Sequence, residues 1–294
     1  MSFSLKLPSN YSSREVMAFQ ARDPEGLAER LEPNRIRKAF VFEAIPLVLD
    51  ISLAKNMANC RIEADRPLPH ATRTTLQQIA RNLLALRIDP EPFEAMAKED
   101  NLLASLVQKQ TGLRIPHTTT PFEALAWAII GQQINLSFAI TLRRSFIQLA
   151  GTKHSSGLWC HPDASAVARL NPDHLGQLKF SRAKAETLVR MAQLVDSGKL
   201  PLDEWQNHSP EEIQAALLAI KGIGPWTVNY TLLRGFAFAD CSLHGDAAIR
   251  NALNRLSGSA TKPTIKEIET LLQRYRPHRS MTAAHLWKSL HVAA

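Results

Sequence analysis

Ile220-Lys221-Gly222-Ile223-Gly224-Pro225-Trp226-Thr227 is the stretch on which the reading of this chain turns. Ahead of it, Ser209-Pro210-Glu211-Glu212 has the pattern of a capping box with proline at the first helical position, so a helix is expected through Ile213 to Ile220. Pro225 then suits the start of a second helix. The two glycines between them permit positive φ and close approach of another backbone. N–H groups at a helix start point outward, where a phosphate fits. Two helices joined in this way hold a DNA backbone without reading its bases. The plain alternative is an αα-hairpin turn with a glycine cap.

The residues that follow weigh against the plain alternative. Trp226 and Tyr230 are four apart and share one helical face, although aromatic pairs of that spacing commonly serve as core. In Leu243-His244-Gly245-Asp246-Ala247-Ala248-Ile249, Asp246 directly precedes a helical pattern and reads as an N-cap. The helix dipole keeps such a carboxylate ionised. An ionised carboxylate is also what glycosidic cleavage needs beside a developing cation.

The chain reads as α+β. In the N-terminal segment Phe3 to Leu7 alternates, Lys38 to Ile45 and Leu47 to Leu53 are strand material, and Asn59 to Ala64 alternates again. Leu76, Ile79, Leu83, Leu84 and Leu86 then fall at helical spacing. An α+β domain over 1–112 is expected, followed by an all-helical region over 113–294. In the latter, Thr120-Pro121-Phe122-Glu123 predicts a capping box, and Asn135, Asn171 and Arg182 open further helices.

The net charge of +8 is uneven: residues 1–115 hold 16 Lys and Arg against 14 Asp and Glu, and the remainder holds 19 against 13. The basic excess therefore lies C-terminally, which favours a polyanionic partner there. Cys60, Cys160 and Cys241 are far apart with no CxxC pair, so neither a zinc site nor a disulfide framework is suggested. The start, MSFSLKLPSN, lacks the apolar stretch of a signal peptide, and no run suits a membrane span. A cytoplasmic, nucleoid-associated protein is expected. Of the ten histidines, His278, His285 and His291 cluster near the end without ligand spacing and are expected at the surface or facing DNA. Arg143-Arg144 reads as a solvated face, Arg182 and Lys184 as phosphate contacts or a solvated face, and Asp240 as a surface or capping carboxylate.

The order LLAIKGIGPWTVNY then FADCSLHGDAAIRNAL resembles the helix-hairpin-helix (HhH-GPD) DNA glycosylase superfamily, and within it the bacterial 3-methyladenine DNA glycosylase II type. Phe122 to Gln133 resembles its first core helix, His278 to Trp287 its C-terminal helix, and the N-terminal segment its extra, TBP-like antiparallel sheet. The resemblance implies two helical subdomains with the DNA cleft between them. It implies Asp246 as catalytic carboxylate, Trp226, Tyr230 and Trp287 around the flipped base, and Lys221, Gly222, Gly224 and Thr227 on the DNA backbone. Gln132, Gln133 or Ile134 would fill the vacancy left by the base. An alkali cation (sodium or potassium) would sit on the main-chain oxygens of Leu218, Ile220 and Ile223. The resemblance implies no other cofactor, and no iron–sulfur cluster, since the cysteines that would hold one after Asp246 are missing.

Trp226 falls where lyase-competent relatives carry a lysine nucleophile, which implies a monofunctional enzyme. Ala247 stands where the family type has a tyrosine, and Gln133 where it has a leucine wedge; both bear on substrate range. The expected activity is hydrolysis of the N-glycosidic bond of alkylated purines (3-methyladenine, 7-methylguanine) in damaged double-stranded DNA, by a monomer. The alternatives are a superfamily enzyme for a deaminated or oxidised purine, and a non-enzymatic hairpin DNA-binding module.

Overall fold

The computed structural model describes residues 1–69 and 71–291. Strands β1 (Ser2–Lys6), β2 (Glu29–Glu32), β3 (Arg35–Phe42), β4 (Ile45–Ala54) and β5 (Met57–Ala64) form one antiparallel sheet in the order β1-β5-β4-β3-β2. Alternation decides its faces: Phe3, Leu5, Ile36, Leu49, Ile51 and Ile62 are buried. The strand material from Lys38 to Ile45 is not continuous. The chain reverses at Glu43-Ala44, both at positive φ (48° and 58°), as a two-residue hairpin loop requires. The sequence predicts neither helix α1 (Arg14–Gln20) nor strand β2, because segments of 7 and 4 residues carry little periodic signal. Helix α2 (Arg73–Leu83) matches the predicted periodic stretch and packs with α1 onto the sheet.

Twelve further helices follow among the described residues: α3 (Glu91–Ala97), α4 (Ala104–Lys109), α5 (Pro121–Gly131), α6 (Leu136–Ala150), α7 (Ala164–Ala168), α8 (Pro172–Gln177), α9 (Arg182–Asp196), α10 (Pro210–Leu218), α11 (Pro225–Phe236), α12 (Ala247–Ser257), α13 (Ile265–Leu272) and α14 (Arg279–His291). Two main apolar cores result. The sheet core draws on residues from Phe3 to Ala85, and the helical core on residues from Ile88 to Leu286. Phe93, Ala97, Leu103 and Val107, which precede residue 112, pack into the helical core. Helices α5 and α11 cross closely at Gly235, where a Cβ would meet Pro121 Cα at 3.0 Å.

Caps set most of the helix starts. Asn135, Asp163, Asn171, Ser181, Ser209 and Thr264 each accept a first-turn N–H. The Ser209–Glu212 box closes reciprocally, as expected. The Thr120–Glu123 box does not. Thr120 caps the Glu123 N–H, but the Glu123 carboxylate turns to the N–H and hydroxyl of Thr119 and to Lys38.

That diversion belongs to a buried ionic cluster joining the sheet to the helices. Lys38 (β3) donates to Glu29 (β2) at 2.5 Å and to Glu123 (α5) at 2.7 Å, and Arg143 (α6) reaches Glu29 at 2.5 Å. Burial alone would raise the Glu29 carboxyl, but Arg143 and Lys38 hold it down at about 2. Glu123 is likewise held well below the usual carboxylate range, against its burial, by Lys38, His161 and Arg143. Arg143-Arg144 is therefore no solvated face. Arg144 pairs with Asp23 at 3.2 Å and with Glu25, both from the segment after α1. The sequence could not show partners more than a hundred residues away.

Ala39 and Val48 on the second face of the sheet meet Leu158 and Cys160 from the segment after α6. Among the described residues, no helix is long and apolar enough to cross a membrane.

Candidate active site

The hairpin lies between α10 and α11. Helix α10 ends at Leu218, two residues before the expected Ile220, and the turn closes with the Ile223 N–H donating to the Ile220 carbonyl at 3.0 Å. Its two glycines differ physically. Gly222 has φ +95°, and a Cβ there would fall 2.2 Å from Thr187 Oγ1 on α9. The fold itself demands glycine at 222. Gly224 has φ −109° and is the N-cap of α11, and a Cβ there would meet nothing within 4 Å. Nothing inside the chain requires glycine at 224, so the open approach to the helix start is available to an outside group. Lys221 is exposed beside it and Thr227 is buried in the first turn of α11.

Asp246 caps α12, and Oδ1 accepts the N–H groups of Ala248 at 2.9 Å and Ile249 at 3.0 Å. Trp287 Nε1 on α14 donates to the same oxygen at 3.2 Å. Trp226 Nε1 on α11 donates to Oδ2 at 2.8 Å. Three helices thus converge on one carboxylate, which is 9% exposed. All four donors are neutral N–H groups, so the negative charge is oriented but not neutralised. Oδ1 is crowded, whereas Oδ2 accepts one bond and keeps lone-pair capacity for a water or a positive centre.

Trp226, Tyr230 and Trp287 do come together. The Trp226 and Tyr230 rings lie 5.4 Å apart and those of Tyr230 and Trp287 6.2 Å apart. At these separations the rings of each pair pack on one another, with no gap for a further ring between them. Both tryptophans are half-buried and Tyr230 is buried.

Behind Tyr230 the sequence reading missed a group from the N-terminal segment. Phe19 (α1) is flanked by the guanidinium of Arg22 at 3.5 Å from its ring centre and that of Arg234 (α11) at 4.5 Å. Phe19, Arg22, Trp127 and Tyr230 line a narrow cleft, together with Glu29 and Glu123. Only Tyr230 is common to this cleft and the Asp246 cluster. The acids Glu29 and Glu123 of the cleft are paired with Lys38 and Arg143, whereas Asp246 has only neutral donors. No local signal near Phe19 or Arg22 ties them to residue 230.

Other candidates fall into place. Asp240 is bound by Arg279 at 2.7 Å and Arg276 at 3.3 Å, a fastening of the α11–α12 connection to the start of α14. His285 is fully buried against Gln110 (2.9 Å) and Phe93, neither at the surface nor facing DNA, and burial pushes its pKa down to about 4. The side chain of His291 lies outside the described residues. Arg182 is exposed and pairs with Glu186, while Lys184 donates to the Ile130 carbonyl at 2.8 Å. Among the described residues, no group of three or more His, Cys, Asp or Glu side chains is arranged to hold a metal.

The fold and site define a helical hairpin protein in which an uncompensated, N-capping aspartate stands against aromatic rings one helix beyond the hairpin. The chain belongs to the HhH-GPD superfamily of base excision DNA repair proteins, whose family model matches residues 126–278. It is 28% identical over 292 residues, 98% of this chain and 96% of the relative, to a DNA-3-methyladenine glycosylase of Bacillus subtilis. Its fold matches a 3-methyladenine DNA glycosylase from Archaeoglobus fulgidus over 99% of this chain and 98% of that one, with TM-score 0.84 at 19% identity. A 3-methyladenine DNA glycosylase of Schizosaccharomyces pombe, solved with abasic DNA, matches 69% of this chain and 98% of its own at TM-score 0.62 and 25% identity. The chain is a base excision repair glycosylase.

Proposed function

We propose that the chain is a monofunctional glycosylase that hydrolyses the N-glycosidic bond of alkylated purines in double-stranded DNA, with Asp246 as its catalytic carboxylate. The observation that carries this reading is the Trp226–Asp246–Trp287 arrangement, a buried anion bonded only to neutral donors on an aromatic wall. The names of the relatives above support the substrate class.

The hairpin N–H groups around Gly222 and Gly224, with Lys221, receive backbone phosphates. The damaged nucleotide swings out of the stack. A purine methylated at N3 or N7 carries positive charge, and the indole faces of Trp226 and Trp287 attract it. When the C1′–N bond breaks, its electron pair neutralises that charge on the leaving base, so no strong general acid is needed. The sugar becomes oxocarbenium-like, and Asp246 offers it the nearest unneutralised negative charge. Water adds to C1′ and its proton passes by way of Oδ2 to solvent.

A lysine at 226 would attack the sugar and lead to strand cleavage. The indole there donates to Asp246 and forms no Schiff base, hence a monofunctional enzyme. Hydrolysis of this kind needs no organic cofactor. Leu218, Ile220 and Ile223 would offer neutral, hard main-chain oxygens to an alkali cation that stiffens the hairpin; the Ile220 carbonyl, accepting one N–H, keeps a second lone pair.

The test is to incubate the protein with methylated duplex DNA and identify the freed bases. Release of 3-methyladenine or 7-methylguanine is expected, and borohydride should trap no covalent adduct. Release of only deaminated or oxidised purines, or a trapped adduct, contradicts the proposal. No release at all favours the DNA-binding module.

A further inference from the structure

The loop between α5 and α6 offers three residues for the space vacated by a flipped base, and the first of them already has partners. Gln132 Nε2 donates to the Gly222 carbonyl at 3.0 Å and to Thr227 Oγ1 at 2.9 Å. These bonds cross from the loop to both sides of the hairpin turn, and they end one residue from Trp226. The end of α5 that leads into the loop is held as well, since Lys184 Nζ on α9 donates to the Ile130 carbonyl at 2.8 Å. Helix α9 supports the hairpin through Thr187 Oγ1, which lies 3.4 Å from the Lys221 carbonyl and against Gly222. Loop, hairpin and α9 thus form a closed triangle of contacts.

Directly after the two tethers Gln133 is exposed and takes φ +55°, a left-handed conformation that a residue with a Cβ resists. Ile134 packs partly against the helical core. The tether at 132 and the strain at 133 are adjacent. Such strain persists only where the surroundings hold it, and the residue next to Gln133 is the tethered Gln132.

Resting on the glycosylase reading, we infer that Gln132 is a positioning residue that couples the hairpin's hold on the DNA backbone to insertion of the Gln133 tip, and that it does not itself fill the vacancy. To enter the duplex, Gln132 would have to leave both the Gly222 carbonyl and the Thr227 hydroxyl. While it keeps them, a phosphate seated at the hairpin fixes where the tip meets the base stack.

The discriminating substitution is Gln132→Leu, which preserves bulk and removes the donor. The readouts are affinity for an abasic-site duplex and the rate of base opening, followed by 2-aminopurine placed beside a methylated purine. A plug needs bulk, so Gln132→Leu would open the pair at close to the wild-type rate and exceed Gln132→Ala. A strut needs the amide, so both variants should slow opening about tenfold while abasic-duplex affinity changes little. Thr227→Val, which removes one acceptor, should slow opening less, and its effect should not add to that of Gln132→Ala. Equal opening by wild type and Gln132→Leu, or full additivity with Thr227→Val, overturns the inference alone. A wild-type chain that opens no damaged pair overturns the glycosylase reading and this inference with it.

Discussion

Glu123 and Asp246 are both buried carboxylates near a helix start, yet their surroundings are opposite. Glu123 sits between Lys38 at 2.7 Å and Arg143 at 3.5 Å, with its second oxygen on Thr119. Its charge is cancelled, and it fastens α5 to the sheet. Asp246 has as many close contacts but none of them is charged. Two indole N–H groups and two amides orient the carboxylate and leave its charge to act on something that arrives. On the proposed function, the difference separates a carboxylate that builds from one that reacts, and it lies in the type of donor, not in depth of burial.

The comparison is broken most severely by removing a cation from the first site. Lys38→Met leaves Glu29 and Glu123 to share Arg143. Urea unfolding should show a loss of about 3–5 kcal/mol, because an unpaired buried charge remains. The base-release rate of the molecules still folded should hardly change. A stable variant with slow release would contradict the division of roles.

Acid tests the same site without mutation. Glu29 falls from 4.5 to about 2 in the folded chain, so its ionised form favours the fold. The contribution is present above the unfolded value and is lost as pH falls through the folded one. Stability should therefore drop by up to about 3 kcal/mol between pH 4.5 and 2, read from unfolding curves across that window. A flat profile would show that the cluster does not bind its charges tightly.

At the second site the effects should appear in rate. Trp226→Phe keeps a ring but removes the donor to Oδ2, which frees the carboxylate to rotate. Single-turnover base release should fall about tenfold with stability unchanged. The smallest effects concern the hairpin. Gly222→Ala, at positive φ against Thr187, should cost about 1–2 kcal/mol of stability. Gly224→Ala should leave stability alone and weaken duplex binding several-fold at fixed salt, by obstructing a phosphate. Equal behaviour of the two glycines would refute their separation.

Much of this site was legible because it is local. The Gly222/Gly224 hairpin, Asp246 as a cap, and the Ser209 and Asn135 helix starts all rest on a few neighbouring residues. What could not be read was long-range. Arg143 looks solvated beside Arg144 until Glu29, 114 residues earlier, is folded against it. Phe19 and Arg22 share a cleft with Tyr230, which lies far along the chain from them. The resemblance implied a plug among Gln132, Gln133 and Ile134, but the bonds of Gln132 to Gly222 and Thr227, 90 and 95 residues away, could not be read. The sheet was partly legible through alternation, but the Glu43-Ala44 turn carries neither glycine nor asparagine to mark it.

The central claim is that the uncompensated charge of Asp246 drives base release. Asp246→Asn preserves shape and the cap to a large degree while removing that charge. Under single-turnover conditions on methylated duplex DNA, the variant should release 3-methyladenine about a thousandfold more slowly than wild type and bind an abasic-site duplex with nearly unchanged affinity. Release at the wild-type rate, with the same affinity, would contradict the account.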